Sequence, residues 1–122
     1  ALTDVGILGI AYIGNVPYLY ESQSLIIAER LIKKGYCVHI WDAVFEATKN
    51  AERALKDVHP DLLSPDEYLE SLNIYRDINR CIEASNVIFI GNPLKEIKKV
   101  ASNGGFENMF VVDPWRIVEG SV

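Results

Sequence analysis

Residues 4–22, DVGILGIAYIGNVPYLYES, decide the fold, because an apolar run here passes through glycines to a serine that can begin a helix. A short, continuously apolar run that ends in glycine is typical of a buried parallel strand. Many phosphate sites begin with this order of strand, glycine turn and helix. Between Gly9 and Glu21, however, the sequence contains no Lys, Arg, Asp or Glu. The stretch therefore predicts a nucleotide-binding type of fold without the charge expected of a phosphate site.

Downstream of this stretch, helical and strand patterns alternate to the end of the chain. Ser22 can cap the first helix, Gly35 can end it, and Asp77 can cap a later one. We predict strands at residues 4–10, 37–42, 73–76, 86–90 and 109–112, and helices at residues 22–34, 45–56, 64–72, 77–84 and 95–101. The alternation predicts a three-layer, Rossmann-like α/β domain with a parallel sheet of five or six strands. Right-handed crossovers favour the strand order 3-2-1-4-5.

Length and composition bound the classes of function. The 122 residues fit one domain, and 49% hydrophobic and 24% charged residues are ordinary for a soluble globular protein. A net charge of −5 argues against a nucleic-acid partner. No apolar run approaches the roughly 18–20 residues of a spanning helix, so we expect a cytoplasmic protein without membrane contact. The start at Ala1, without methionine, suggests a fragment of a longer protein.

The cysteines and histidines indicate neither a metal site nor a nucleophile. Cys37 and Cys81 lie far apart and form no CxxC pair, so we expect two buried apolar thiols in a reducing compartment. His39 and His59 have no partner at metal-ligand spacing, so no metal site is expected. Neither cysteine has the neighbours of a catalytic nucleophile.

The fold itself indicates where a ligand would bind. In open α/β sheets, ligands lie beyond the carboxyl ends of the strands, where the strand order reverses direction. Here this is the crevice between the first and fourth strands. The segments that would face it are residues 9–22, Asp42, residues 91–93 and residues 113–116.

The glycines and one acid near this crevice each allow two interpretations. Gly6, Gly9 and Gly14 have the spacing GxxGxxxxG, whereas the dinucleotide fingerprint is GxGxxG, so we expect no NAD site in this domain. Gly6 and Gly9 would also let strand and helix approach closely, and Gly14 would serve a turn. Asp42 would either bind a ribose or cap the segment that follows it. The sequence leaves both roles of Asp42 open.

Several stretches together resemble one family. Residues 5–12, VGILGIAY, followed by GN at residues 14–15 and LYES at residues 19–22, resemble the start of the C-terminal, nucleotide-sugar-binding domain of the UDP-glucose/GDP-mannose dehydrogenase family. The family pattern is approximately LGxA[FY]KxxxxDxRxS. EASNVIFI at residues 83–90 and VVDPWRIV at residues 111–118 are similar to later family features. The resemblance covers nearly the whole chain.

This resemblance implies part of a larger NAD-dependent enzyme of polysaccharide biosynthesis, which oxidises the sugar 6-hydroxyl to a carboxylate. NAD would bind another domain and none would bind here, and the catalytic cysteine would also lie elsewhere. The implied partners are a UDP- or GDP-linked sugar, the rest of the parent dehydrogenase and a second copy in a homodimer. The implied substrate-binding residues are Gly9, Tyr12, Gly14, Asn15, Glu21, Ser22 and Arg116, with no catalytic residue in this segment.

The sequence departs from the family at the charged positions of the glycine turn. The family's lysine falls on Ile13, its aspartate on Tyr18 and its arginine on Tyr20, and Pro17 occupies another usually polar position. Each lost charge-assisted contact to a phosphate weakens binding by about 1.5–3 kcal/mol, and Arg116 is the best remaining phosphate partner. Three hypotheses remain: a dehydrogenase with unconventional substrate binding, a diverged interaction or regulatory module, or an unrelated Rossmann-like domain.

Overall fold

The computed structural model describes residues 3–10, 23–43, 72–118 and 120. The helix predicted at residues 45–56 lies outside the described residues, as does the helix predicted at residues 64–72 except for Leu72, which instead begins a strand. The elements are β1 (Asp4–Leu8), α1 (Gln23–Lys33), β2 (Cys37–Trp41), β3 (Leu72–Tyr75), α2 (Ile78–Glu83), β4 (Val87–Ile90), α3 (Lys95–Ser102) and β5 (Phe110–Val112).

The strands form one parallel sheet in the order β3-β2-β1-β4-β5, which confirms the predicted order and the Rossmann-like α/β fold. The chain moves outward from β1 to β3 and then returns to place β4 on the other side of β1. Leu8 pairs with both Trp41 and Ile90. The carboxyl ends of β1, β2 and β4 are therefore level, and the order reverses between β1 and β4.

Each face of the sheet packs against helices through an apolar cluster. On one face, α1 buries Leu25, Ala28 and Ile32, whose spacing places them on one stripe of the helix. On the other face, α2 packs against β1, β2 and β3. Cys81 of α2 and Ile97 of α3 are fully buried in one apolar cluster with Ile88 of β4 and Val111 of β5. No described helix combines the length and the apolar character needed to cross a bilayer.

The described helices and strands begin and end within two residues of the predicted positions, because local sequence signals determine these ends. The strand predicted to reach residue 10 ends at Leu8, because Gly9 has a φ of 93° and leaves the extended conformation. Asp77 caps α2 as predicted, accepting a hydrogen bond from the Asn79 N–H at 2.9 Å. Gly35 follows α1 with a φ of 94°, in the left-handed conformation that favours glycine at a helix end.

Two expectations about small residues need correction. Gly6 does permit a close approach, but not to α1: a Cβ at Gly6 would lie 2.8 Å from the Ile88 Cδ1 and would clash with Ser85, just before β4. Cys81 is buried as expected, whereas Cys37 is half-buried because it begins β2 at the end of the sheet. Both thiols are free, and burial raises the pKa of Cys81 to about 12.

Candidate functional site

Two glycines bring the loops after β1 and β4 into contact. The Gly91 N–H donates to the Leu8 carbonyl at 2.7 Å, and the Gly9 N–H donates to the Trp41 carbonyl at 2.8 Å. A Cβ at Gly9 would lie 2.8 Å from the backbone nitrogen of Asn92. A Cβ at Gly91 would collide with the Gly9 carbonyl oxygen and with the Ser24 hydroxyl near the start of α1. Gly91, rather than Gly9, is thus the glycine that lies against α1.

Asp42 joins the ends of β1 and β2. Its side chain is fully buried, and its Oδ2 accepts a hydrogen bond from the Ile10 N–H at 2.6 Å. A buried carboxylate is stabilised by such charge-assisted hydrogen bonds from backbone N–H groups. Asp42 therefore fixes the backbone at the point where the chain enters residues 11–22. The segment that Asp42 was predicted to cap lies largely outside the described residues.

A second fully buried acid organises the turn after β5. The Asp113 carboxylate accepts hydrogen bonds from the Trp115 N–H at 3.1 Å and from the Val118 N–H at 2.6 Å. The Asp113 carbonyl accepts a further bond from the Arg116 N–H at 3.3 Å. Within this turn Arg116 has a φ of 58°, an uncommon conformation for a residue with a side chain. The turn is thus held from within by one carboxylate.

Trp115 connects this turn to the loop after β4. Its indole Nε1–H donates to the Gly91 carbonyl at 3.0 Å, while the side chain remains 50% exposed. Sequence reasoning placed residues 113–116 at the crevice but did not single out Trp115. The available signal was a large aromatic residue directly after Asp-Pro, a position where a turn exposes its side chain.

We use the term carboxyl edge for the segments joined by these bonds. They are Gly9–Ile10, Asp42, Gly91–Asn92 and residues 113–116. All four segments predicted to face the crevice are represented, the first of them by its two described residues. Lys95, exposed in the first turn of α3, and Arg116, exposed in the turn after β5, supply positive charge in or next to these segments.

The predicted binding residues divide between the described and the remaining parts of the chain. Gly9 lies at the end of β1, in contact with the loop after β4. Arg116 directly follows Trp115, whose indole is bonded to Gly91. Both therefore belong to the carboxyl edge. The other five predicted residues lie outside the described residues: Tyr12, Gly14, Asn15, Glu21 and Ser22.

Away from this edge, a chain of polar side chains links three strands. The His39 Nδ1 lies 2.8 Å from the Tyr75 hydroxyl, and its Nε2 lies 2.8 Å from the Asp4 Oδ1. Burial raises the pKa of Tyr75, with smaller contributions from the nearby Cys81 and Asp4. Within the described ranges, no three His, Cys, Asp or Glu side chains are grouped to hold a metal ion. Through His39, these side chains connect β1, β2 and β3.

Comparisons with known proteins identify the type of domain to which this edge belongs. Residues 6–120 match the model of the UDP-glucose/GDP-mannose dehydrogenase family, UDP binding domain. No curated protein matches the sequence.

Three solved structures show the likeness of the fold. A ternary complex of GDP-mannose dehydrogenase from Pseudomonas aeruginosa gives a TM-score of 0.72 at 22% identity, over 99% of this chain and 26% of that one. UDP-glucose dehydrogenase from Pyrobaculum islandicum gives 0.68 at 19% identity, over 91% of this chain and 21% of that one. An imine reductase from Pseudomonas sp. gives a TM-score of 0.54 at 18% identity, over 93% of this chain and 32% of that one. The chain thus spans 21% to 32% of the length of these enzymes.

Proposed function

The chain belongs to the UDP-glucose/GDP-mannose dehydrogenase family, as its UDP-binding domain, and from this premise we propose that it binds the nucleotide of a UDP- or GDP-linked sugar at the carboxyl edge. The observation that supports this site most strongly is the contact between Gly9 and Gly91, where β1 and β4 end side by side. Backbone groups approach closely there without intervening side chains. Ligands of open α/β sheets bind at this reversal of the strand order.

We propose these roles for the residues at the site. The backbone N–H groups around Gly14 and Asn15 hold the phosphates, as successive amides do in anion-binding nests. Arg116 pairs with the diphosphate, because a guanidinium donates two parallel hydrogen bonds to phosphate oxygens. Gly9 lets the loop after β4 lie directly against the end of β1, which shapes the site for the ligand. Tyr12 contacts the base or sugar. Glu21 and Ser22 bind hydroxyl groups of the ligand.

We further propose that residues 1–122 form one domain of a longer, NAD-dependent and dimeric dehydrogenase in the cytoplasm. In that enzyme NAD binds a different domain, and the sugar 6-hydroxyl is oxidised there to a carboxylate. The short span of this chain relative to the similar dehydrogenases, 21% and 26% of their lengths, supports a parent protein with further domains. This segment then contributes substrate binding rather than a catalytic residue.

A calorimetric titration of this chain with UDP-glucose and GDP-mannose tests the proposal. We expect saturable binding, together with about 2.7 kcal/mol of stabilisation at a ligand concentration of about 100 times Kd. Arg116→Ala should weaken binding about 10- to 100-fold, since it removes a charge-assisted contact to phosphate. The matched control is Arg80→Ala, which removes an exposed arginine on α2 and should leave binding unchanged.

Two results would contradict the proposal. Wild-type chain that neither binds nor gains stability at millimolar nucleotide sugar would favour a diverged interaction or regulatory module. Equal losses in Arg116→Ala and Arg80→Ala would show that overall charge, rather than the carboxyl edge, attracts the ligand.

A further inference from the structure

We infer that Trp115 is a stacking platform for the nucleobase, held in place by the Gly91 carbonyl. The inference rests on the proposed function and adds to it the contact that binds the base. It requires an indole that is exposed, fixed in position and placed at the reversal of the strand order. The structure meets each requirement.

Exposure distinguishes Trp115 from the other tryptophan of the chain. Trp41 is fully buried, and its Nε1–H donates to the Arg76 carbonyl at 3.3 Å. Trp115 is 50% exposed, although an indole in water forgoes the stabilisation that burial of its ring would give. Phe110, at the opposite end of β5, is the other large apolar side chain exposed in the part of the chain that the structure describes.

The position of the Trp115 indole is set at two points. Its backbone N–H donates to the buried Asp113 carboxylate, and its Nε1–H donates to the Gly91 carbonyl. The second bond lies in the plane of the ring, because the indole hydrogen does, and so it occupies neither face. A ring fixed in this way loses little side-chain entropy when a ligand stacks on it.

The location links the indole to the proposed nucleotide site. The Gly91 carbonyl that holds the ring belongs to the loop in contact with Gly9, where β1 and β4 diverge. The neighbouring Arg116 is the residue proposed to bind phosphate. A nucleotide with its phosphates at Arg116 would have its base close to Trp115, since the two residues are adjacent in one turn.

Stacking also offsets the missing charges of residues 9–21. Every base has a π face, so stacking on an aromatic side chain contributes to the binding of any nucleotide. Binding would then depend more on the base and less on the phosphates than in a site lined with lysine and arginine. We expect the larger guanine to bind more tightly than uracil, and free pyrophosphate to bind weakly.

The test combines affinity with quenching of tryptophan fluorescence by acrylamide. Trp115→Ala should weaken binding of UDP and GDP about tenfold or more, and Trp115→Phe should retain most of the affinity. Phe110→Ala removes the other exposed aromatic ring and should leave Kd unchanged. In wild type, UDP and GDP should protect the exposed indole from acrylamide, whereas pyrophosphate should not. The buried Trp41 serves as the internal reference.

The outcomes separate this inference from the proposed function. If UDP binds wild type and Trp115→Ala equally, or binds without protecting the indole, the platform is refuted and the nucleotide site stands. If neither UDP nor GDP binds wild type, both are refuted. If protection instead rises with protein concentration in the absence of nucleotide, Trp115 is covered by another chain and the platform is again refuted.

Discussion

The two edges of the sheet differ in how their segments are held. At the amino edge, where the strands begin, the Cys37 N–H donates to the Thr3 carbonyl at 2.9 Å, and the Asn86 N–H donates to the Asp4 carbonyl at 2.8 Å. Side chains also bond there: the Asp4 N–H donates to the exposed Asn86 Oδ1 at 3.2 Å, and the Thr3 hydroxyl donates to the Asp4 Oδ2 at 3.3 Å. The Asp4 Oδ1 lies 2.8 Å from the His39 Nε2. The Asp4 carboxylate is partly exposed, so the described residues of this edge include no fully buried acid.

The carboxyl edge combines fully buried acids with a tightly packed glycine and an uncommon backbone conformation. Asp42 and Asp113 are fully buried carboxylates, and Gly91 has no room for a Cβ. Arg116 has a φ of 58°, and half of the Trp115 side chain is exposed. Strained backbone and buried polar groups collect at functional sites, where neighbouring contacts offset their cost. The contrast therefore supports the proposal that the ligand binds at the carboxyl edge.

Gly91→Ala should lower the free energy of unfolding more than any other variant, and far more than a matched change at the amino edge. The new Cβ would collide with the Gly9 carbonyl, so one of the two loops must move, and we expect a loss of more than about 3 kcal/mol in the free energy of unfolding. The control is Gly35→Ala, at a site with open space, where only the positive φ matters and the loss should be about 1–2 kcal/mol. Urea unfolding measures both, and equal losses would remove the contrast.

Asp113→Ala should cause the second-largest loss in the free energy of unfolding. It leaves the Trp115 and Val118 N–H groups without their acceptor, and we expect a loss of about 2–3 kcal/mol. Asn86→Ala removes a side-chain acceptor from the amino edge and should cost less than about 1 kcal/mol, because water replaces the exposed bond. Nucleotide affinity should fall only for Asp113→Ala. A loss of affinity in both variants would mean that binding simply follows stability.

We expect alkaline pH to destabilise the molecule through the buried Cys81 thiol, which belongs to the core and to neither edge. Burial raises the pKa of Cys81 from 9.0 to about 12. The neutral thiol contributes stability in full below the unfolded pKa of 9.0, and this contribution is lost as pH rises from there through the folded value. Between pH of about 8 and pH of about 10.5 the loss should be about 2 kcal/mol.

Cys81→Ala removes this titration, so its stability should fall less over the same pH range than that of wild type. Cys37→Ala keeps the buried thiol and serves as the control, with the full alkaline loss expected. Urea unfolding at the two pH values measures the difference. Identical alkaline losses in all three proteins would show that other groups determine the pH dependence.

Arg116→Gly should have the smallest effect on stability, a slight gain, while it weakens nucleotide binding. Glycine relieves the positive φ but loses more backbone entropy on folding, so we expect a net gain of up to about 1 kcal/mol. Nucleotide affinity should nevertheless fall. Asn108→Gly is the control, since Asn108 has a φ of 64° outside the carboxyl edge and should leave affinity unchanged. A variant Arg116→Gly that binds normally would remove the proposed role of this residue.

The sequence predicted the fold well because the relevant signals are local. Ser22 and Gly35 bracket α1 in the pattern, Asp77 caps α2, and short apolar runs become strands. The order 3-2-1-4-5 followed from chirality rules for parallel strands, which do not depend on side-chain detail.

The side-chain contacts of the site could not be predicted in the same way. Asp42 binds the Ile10 N–H, 32 residues away, and this pairing depends on the register of β1 and β2. The bond from Trp115 to Gly91 similarly depends on how the turn after β5 folds back. The close approach predicted for Gly9 has the loop after β4 as its neighbour rather than a helix. Periodicity identifies a face of an element, but not which loop will lie beside it.

The most direct test is an NMR titration of the ¹⁵N-labelled chain with UDP-glucose. If the nucleotide binds where β1 and β4 diverge, the largest chemical-shift changes will fall on the amides of Gly9, Gly91 and Arg116 and on the indole N–H of Trp115. Cys37 and Asn86, at the amino edge, will change little. Changes centred on Cys37 and Asn86, or no saturable change at millimolar ligand, would contradict the account.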